Sequence, residues 1–174
     1  LLNESLAENI LGNVEWIKVS ISAATKETYA KIHRTRPEDF NSVINNMSLA
    51  AKIVDKKDYK CALGMQILLL PENSDEVLLL AKLARDIGMD YLVVKPYSQH
   101  LLSKTDQYKE VKYNDYMYLA DELAKFNSSE FSAIFRQNTM KKWDDGERLY
   151  ERCHALPFWS YIDSGGNVWG CSAY

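Results

Sequence analysis

Apolar positions along the chain switch between two periods, and the switches divide it into strands and helices. Residues 15–22 read Glu-Trp-Ile-Lys-Val-Ser-Ile-Ser, an alternating, β-branched run that predicts a strand. Before it, residues 3–11 read as a short helix stopped by Gly12. After it, Thr25 is placed to cap a helix over 26–33 that ends near Arg36 and Pro37. Phe40, Val43, Ile44, Met47, Ala51 and Val54 then recur at helical spacing over 38–55, with Pro37 in the first turn.

Residues 60–70 are nearly all apolar toward their end, as expected of a strand buried on both faces. Pro71 breaks it, and Asn73 with Glu76 has the spacing of a capping box. Val77, Leu80, Ala81, Ala84 and Ile87 form the stripe of the next helix, closed by Gly88. Residues 90–95 give a third strand, ended by Pro96. Strand–helix–strand–helix–strand with right-handed crossovers predicts an α/β fold with parallel strands and helices on the outer face.

Residues 97–112 carry no clear period and read as loop. A helix is expected over about 114–126, a strand over 130–135, and partial helix within 137–150. Residues 158–163 and 168–171 alternate around Ser164-Gly165-Gly166-Asn167, which predicts a β-hairpin.

A length of 174 residues corresponds to one domain, or one plus a small appendage, at about 150 residues per domain. Hydrophobic residues at 47% and charged residues at 26% exclude a disordered chain. With a net charge of −3 there is no basic excess, so no nucleic-acid partner is expected. The longest apolar runs, such as 67–71 and 77–81, are far short of the ~20 residues of a membrane span, so no membrane partner is expected either. The chain opens Leu1-Leu2-Asn3-Glu4, without a basic start or an initiating Met, and reads as the interior of a longer protein. Three cysteines are too few, and odd in number, for a secreted disulfide scaffold, which points to the cytoplasm.

Parallel βα units place ligands at the C-terminal ends of their strands. That singles out Ser20 and Ser22, then Gln66 with Glu72 and Asn73, then Lys95 with Tyr97, Gln99 and His100. Structural roles compete with function at several of these. Ser22 suits a turn, Asn73 a helix cap, and His100 a solvated loop. Lys95, beside a sheet core, must find a partner or water. No G-x-S-x-G, P-loop, G-x-G-x-x-G or H-E-x-x-H occurs, which disfavours a Rossmann dehydrogenase and a phosphate-cradling NTPase.

Twelve residues separate Cys153 from Gly166, and four separate Gly166 from Cys171. The intervening hairpin can fold Cys171 back toward Cys153. Two such thiolates suit iron or zinc better than a disulfide in a reducing compartment, the alternative being two unrelated thiols. Cys61, on a buried strand, reads as a structural thiol.

This cysteine spacing resembles the opening of the SPASM/twitch extension of radical S-adenosylmethionine (radical SAM) enzymes. Residues 16–29, 64–73 and 88–96 resemble, in order, the fourth, fifth and sixth strands of their partial barrel with the segments that follow. The resemblance implies the C-terminal half of a partial (β/α)6 TIM-like barrel over 1–112, a helical linker region over 113–150, and the start of an auxiliary-cluster domain over 151–174. The family's Cys-x3-Cys-x2-Cys loop and the later SPASM cysteines are absent, so the chain resembles a fragment that is inactive alone.

For the parent enzyme the resemblance implies reductive cleavage of S-adenosylmethionine to a 5′-deoxyadenosyl radical. That radical would abstract hydrogen from a peptide, sugar or small metabolite. It implies cofactor contacts from Ser20 or Ser22, Gln66 and Lys95, and ligation of a [4Fe-4S] auxiliary cluster by Cys153 and Cys171. It also implies an electron donor such as a flavodoxin or ferredoxin. A fragment of a barrel should leave apolar side chains exposed on the inner face of its first two strands. The alternative from another class is a non-catalytic metal-binding or interaction module with a cysteine hairpin on an α/β scaffold.

Overall fold

The computed structural model describes residues 2–99, 103–146, 151–152 and 154–170. Helix α1 (Glu4–Ile10) begins at Asn3, whose side chain accepts from the Leu6 N–H. Strand β1 (Trp16–Ser20) leads into α2 (Lys26–His33), capped by Thr25 as its sequence position predicts. Helix α3 (Glu38–Lys57) precedes β2 (Ala62–Leu69), and a 3-10 turn (Ser74–Glu76) leads into α4 (Val77–Asp86). Strand β3 (Tyr91–Pro96) is followed by a long loop and a 3-10 turn (Asn114–Tyr116), then by α5 (Leu119–Ala124). Strand β4 (Ser132–Phe135) and α6 (Gln137–Asp145) close the larger unit. A 3-10 turn (Leu156–Phe158) precedes the antiparallel hairpin of β5 (Tyr161–Ile162) and β6 (Val168–Trp169).

The fold is α/β. Strands β1 to β4 form one parallel sheet in chain order, as the alternation of strands and helices predicts. The sheet continues beyond residue 112: the region expected as a helical linker over 113–150 supplies β4 at the edge. Among the described residues the sheet is open, with β1 and β4 each paired on one side only.

Register assigns the two faces. Ile17, Val19, Leu63, Met65, Ile67, Leu69, Leu92, Val94 and Ala133 point to the helices and join the core with Met47, Ala50 and Ile53 of α3 and Leu80, Ala81 and Ala84 of α4. The opposite face pairs Trp16, Lys18 and Ser20 with Ala62, Gly64 and Gln66, then Gly64, Gln66 and Leu68 with Tyr91, Val93 and Lys95, and finally Tyr91 and Val93 with Ser132 and Ile134. At its flanks apolar groups are exposed, Trp16 to 60% and Ile134 to 45%. In its middle, Ala62 and Leu68 are half-buried and Val93 is buried.

The capping box expected at Asn73 and Glu76 does not form. Asn73 is fully buried and its amide is committed to strand ends, while Glu76 reaches another helix. Asn73 thereby takes three partners and Glu76 four, where a local cap would offer each only one or two.

Candidate functional site

The open face carries the polar side chains that the sequence singles out. Ser20 ends β1 and Gln66 is its register partner on β2, and Gln66 Nε2 donates to Ser20 Oγ at 3.0 Å. Gln66 Oε1 is buried and has no partner among the described residues. Turning the amide over would only exchange which end is left without one. Lys95 stands one row further on, opposite Leu68. Burial lowers its affinity for a proton, and the charges of Lys18 and Arg136 act in the same direction.

Gly64 makes room for the Tyr91 ring. A Cβ at Gly64 would meet Tyr91 Cζ at 2.1 Å, so the ring lies directly against the backbone of β2. The ring and Gly64 share a register row with Lys18, whose ammonium rests 5.7 Å from the Trp16 ring centroid.

Ser22 is placed differently from Ser20. It is buried, in the left-handed region at φ 50°, and its hydroxyl accepts from the Leu68 N–H at 3.4 Å. Its carbonyl accepts from Asn73 Nδ2 at 2.8 Å. Asn73 also donates to the Leu68 carbonyl at 2.9 Å and accepts from the Leu70 N–H at 2.9 Å. This one amide therefore fixes the ends of β1 and β2 relative to each other.

Glu76 performs the same task for α2. Its Oε2 accepts from the N–H groups of Ala24 and Thr25 at 2.7 and 3.1 Å, and its Oε1 from the hydroxyls of Thr25 and Thr28 at 2.7 and 2.6 Å. Burial works to raise the carboxyl's pKa, but these hydrogen bonds outweigh it and hold it below the usual carboxylate range.

The loop after β3 is tied down by tyrosines. Tyr113, fully buried, donates to the Leu69 carbonyl at 3.1 Å and accepts from the Tyr97 N–H at 2.7 Å. Burial pushes its phenol up to about 12. Tyr108 donates to Glu72 Oε1 at 3.0 Å, and Gln107 Nε2 donates to the same oxygen at 3.2 Å. Gln99, bonded to Tyr97, belongs to this loop network, so Glu72, Tyr97 and Gln99 lie together at the strand ends.

His100, Cys153 and Cys171 lie outside the described residues. Cys61 is buried as its strand position predicts. Among the described residues no group of three or more His, Cys, Asp or Glu side chains is arranged to hold a metal. No described helix is long and apolar enough to cross a membrane.

A cavity of about 670 Å³ lies away from these side chains, at the N-terminal ends of β2 and β3, between Asp55, Asp58, Asp86, Asp90 and Phe131. Asp90 there accepts from the Leu63 N–H at 2.6 Å, while Asp58 and Asp86 pair with Lys60 and Lys82. Of these carboxylates Asp90 ties the starts of β2 and β3 together, while Asp58 and Asp86 sit in exposed ion pairs.

Three residues of this arrangement escape the sequence reading. Lys18 was legible, since alternation puts it on the same face as Ser20. Arg136 was legible by carrying the alternation of 132–135 one residue further. Tyr113 had no local signal, because its partners lie 16 and 44 residues away.

No protein-family model matches the chain, and no protein of curated function matches it. Its fold is similar to the crystal structure of Streptococcus suis SuiB, with a TM-score of 0.68 at 10% identity. The similarity covers 99% of this chain and 41% of SuiB, so the chain spans about two-fifths of that protein's length.

Proposed function

We propose that this chain is part of a radical SAM enzyme: the C-terminal half of its partial barrel, followed by the start of a SPASM/twitch extension. The observation that carries the reading is the placing of Ser20, Gln66 and Lys95 on one open face of an all-parallel sheet. The order of the strand motifs and the exposed Trp16 and Ile134 on that face support it, since parallel sheets are normally covered on both faces.

Ser20 and Gln66 suit a ligand rich in hydroxyl and amino groups. They are bonded to each other, and one Gln66 amide atom has a partner still to find. In this reading they orient the cofactor, and Lys95 flanks its adenine or the substrate. Ser22 acts from behind, holding the end of β1 in position through Leu68 and Asn73. When bound and reduced, S-adenosylmethionine supplies a 5′-deoxyadenosyl radical for hydrogen abstraction from a peptide, sugar or small metabolite. An electron donor such as a flavodoxin or ferredoxin belongs to the same proposal.

The test is anaerobic iron–sulfur reconstitution of the open reading frame that contains this chain, with assay of 5′-deoxyadenosine after reduction. Formation of 5′-deoxyadenosine, and reduced iron and sulfide content in Cys153→Ala and Cys171→Ala, are the expected results. Metal binding without cofactor cleavage would instead favour the non-catalytic module. Absence of 5′-deoxyadenosine together with unchanged iron in both variants would overturn the enzyme reading.

A further inference from the structure

The open face bears a single sign of charge. Lys18 on β1 and Lys95 on β3 stand on it by register, and Arg136 follows Ile134 in the alternation past the end of β4. The Arg136 N–H still bonds the Val94 carbonyl at 3.1 Å, which holds that residue beside β3. No Asp or Glu occupies any strand position of this face. Among the described residues, none of the three cations belongs to an ion pair. Lys18 rests over the Trp16 ring, which leaves its charge in place.

In a chain of net charge −3 such a cluster is not a consequence of composition. Lys18 and Lys95 are half-buried and Arg136 is exposed, and bringing unpaired cations together in this way costs free energy unless an anion shares the site. The charges that bear on Lys95 are both positive, and they add to the effect of its burial. Beside the cluster, Gln66 keeps one buried amide atom without a partner. Cations without counter-ions are complementary to an oxyanion, and the unpartnered Gln66 amide beside them marks the same face as a ligand site.

We infer that the open face takes a substrate through a carboxylate or phosphate group set between Lys95 and Arg136, with Lys18 adding attraction. This names the substrate class of the site proposed above and rests on that reading for its catalytic meaning. The anion binding itself needs no cofactor.

The test is calorimetric titration of the chain with inorganic phosphate and with succinate at constant ionic strength, using sodium chloride as the reference. Saturable binding of phosphate, succinate or both is expected, and the preferred anion identifies a phosphorylated or a carboxylate substrate. Lys95→Met and Arg136→Gln should each weaken binding about ten- to a hundredfold, the loss typical of a charge-assisted contact. Lys31→Met, an exposed lysine on α2, should leave it unchanged. Circular dichroism and thermal melts of each variant establish folding, and Arg136→Lys, which retains the charge, should restore part of the affinity. No binding beyond chloride, or equal affinity in folded Lys95→Met and Arg136→Gln, would overturn the inference. That failure would leave cofactor cleavage by the parent enzyme untouched, whereas failure of cofactor cleavage would leave the anion titration standing.

Discussion

Asn73 Nδ2 donates to the Ser22 carbonyl at 2.8 Å, joining residues 51 positions apart at the C-terminal ends of two neighbouring strands. The same amide serves Leu68 and Leu70, so one buried side chain satisfies three backbone groups where the sheet gives way to loops. It also holds Ser22 at a positive φ that a non-glycine residue seldom adopts.

Replacing Asn73 by Ala should leave these three groups unsatisfied and cost about 2–4 kcal/mol, measured by urea denaturation at pH 7. Asn73→Asp should be as damaging at pH 7, because a carboxylate would face the Ser22 and Leu68 carbonyl oxygens. Protonation returns a donor, so the gap between Asn73→Asp and the parent chain should narrow as pH falls. An equal gap at pH 7 and pH 5 would contradict this geometry.

Glu76 gives a stability effect of defined sign. Its folded pKa lies below its unfolded value, so its contribution is complete above about pH 4.3 and is lost as pH falls through the folded pKa. Glu76→Gln should destabilise by about 1–2 kcal/mol at pH 7, kept modest by partial solvent access. Denaturant midpoints of the parent and Glu76→Gln should draw together as pH falls below about 4.3.

Tyr113 acts at the other end of the scale. Its phenol is pushed up to about 12, so the neutral form is favoured by folding. Its stabilisation is present below about pH 10 and is lost as pH rises through about 12. Tyr113→Phe should cost about 1–3 kcal/mol at pH 7 by stranding the Leu69 carbonyl and the Tyr97 N–H. It should also flatten the loss of stability across the alkaline range, as followed by tyrosinate absorbance and circular dichroism.

The Gly64–Tyr91 contact is testable by a double-mutant cycle. Gly64→Ala puts a methyl group into the Tyr91 ring and should cost about 1–3 kcal/mol unless the ring swings out over the open face. In a Tyr91→Ala background the same substitution should be nearly neutral. Additivity of the two changes would show that the ring does not lie against Gly64.

The sequence by itself determined the order of elements and the direction of the first three strands. A period of two over 15–22 and an apolar run over 60–70, separated by a helical stripe, can form a parallel pair only through a crossover, and the structure has that pair. It also placed Ser20, Gln66 and Lys95 on strands, because side-chain alternation is a property of the local backbone. What tertiary structure decided was which side chains meet. Asn73 and Glu76 are spaced as a local cap, and the chain uses them instead to tie strand ends and a distant helix: Asn73 takes three backbone partners, one of them 51 residues away, and Glu76 takes four donors from residues 24–28, more than a single local N–H would offer. Tyr113 likewise carries no signal in its own neighbourhood and is fixed by the Leu69 carbonyl, 44 residues away. The convergence of Lys18, Lys95 and Arg136 belongs to the same class. Lys18 and Lys95 are legible as strand positions and Arg136 as the residue after one, but only the pairing of the strands puts three like charges on one face, because register is set by hydrogen bonds between segments that no single window of sequence contains.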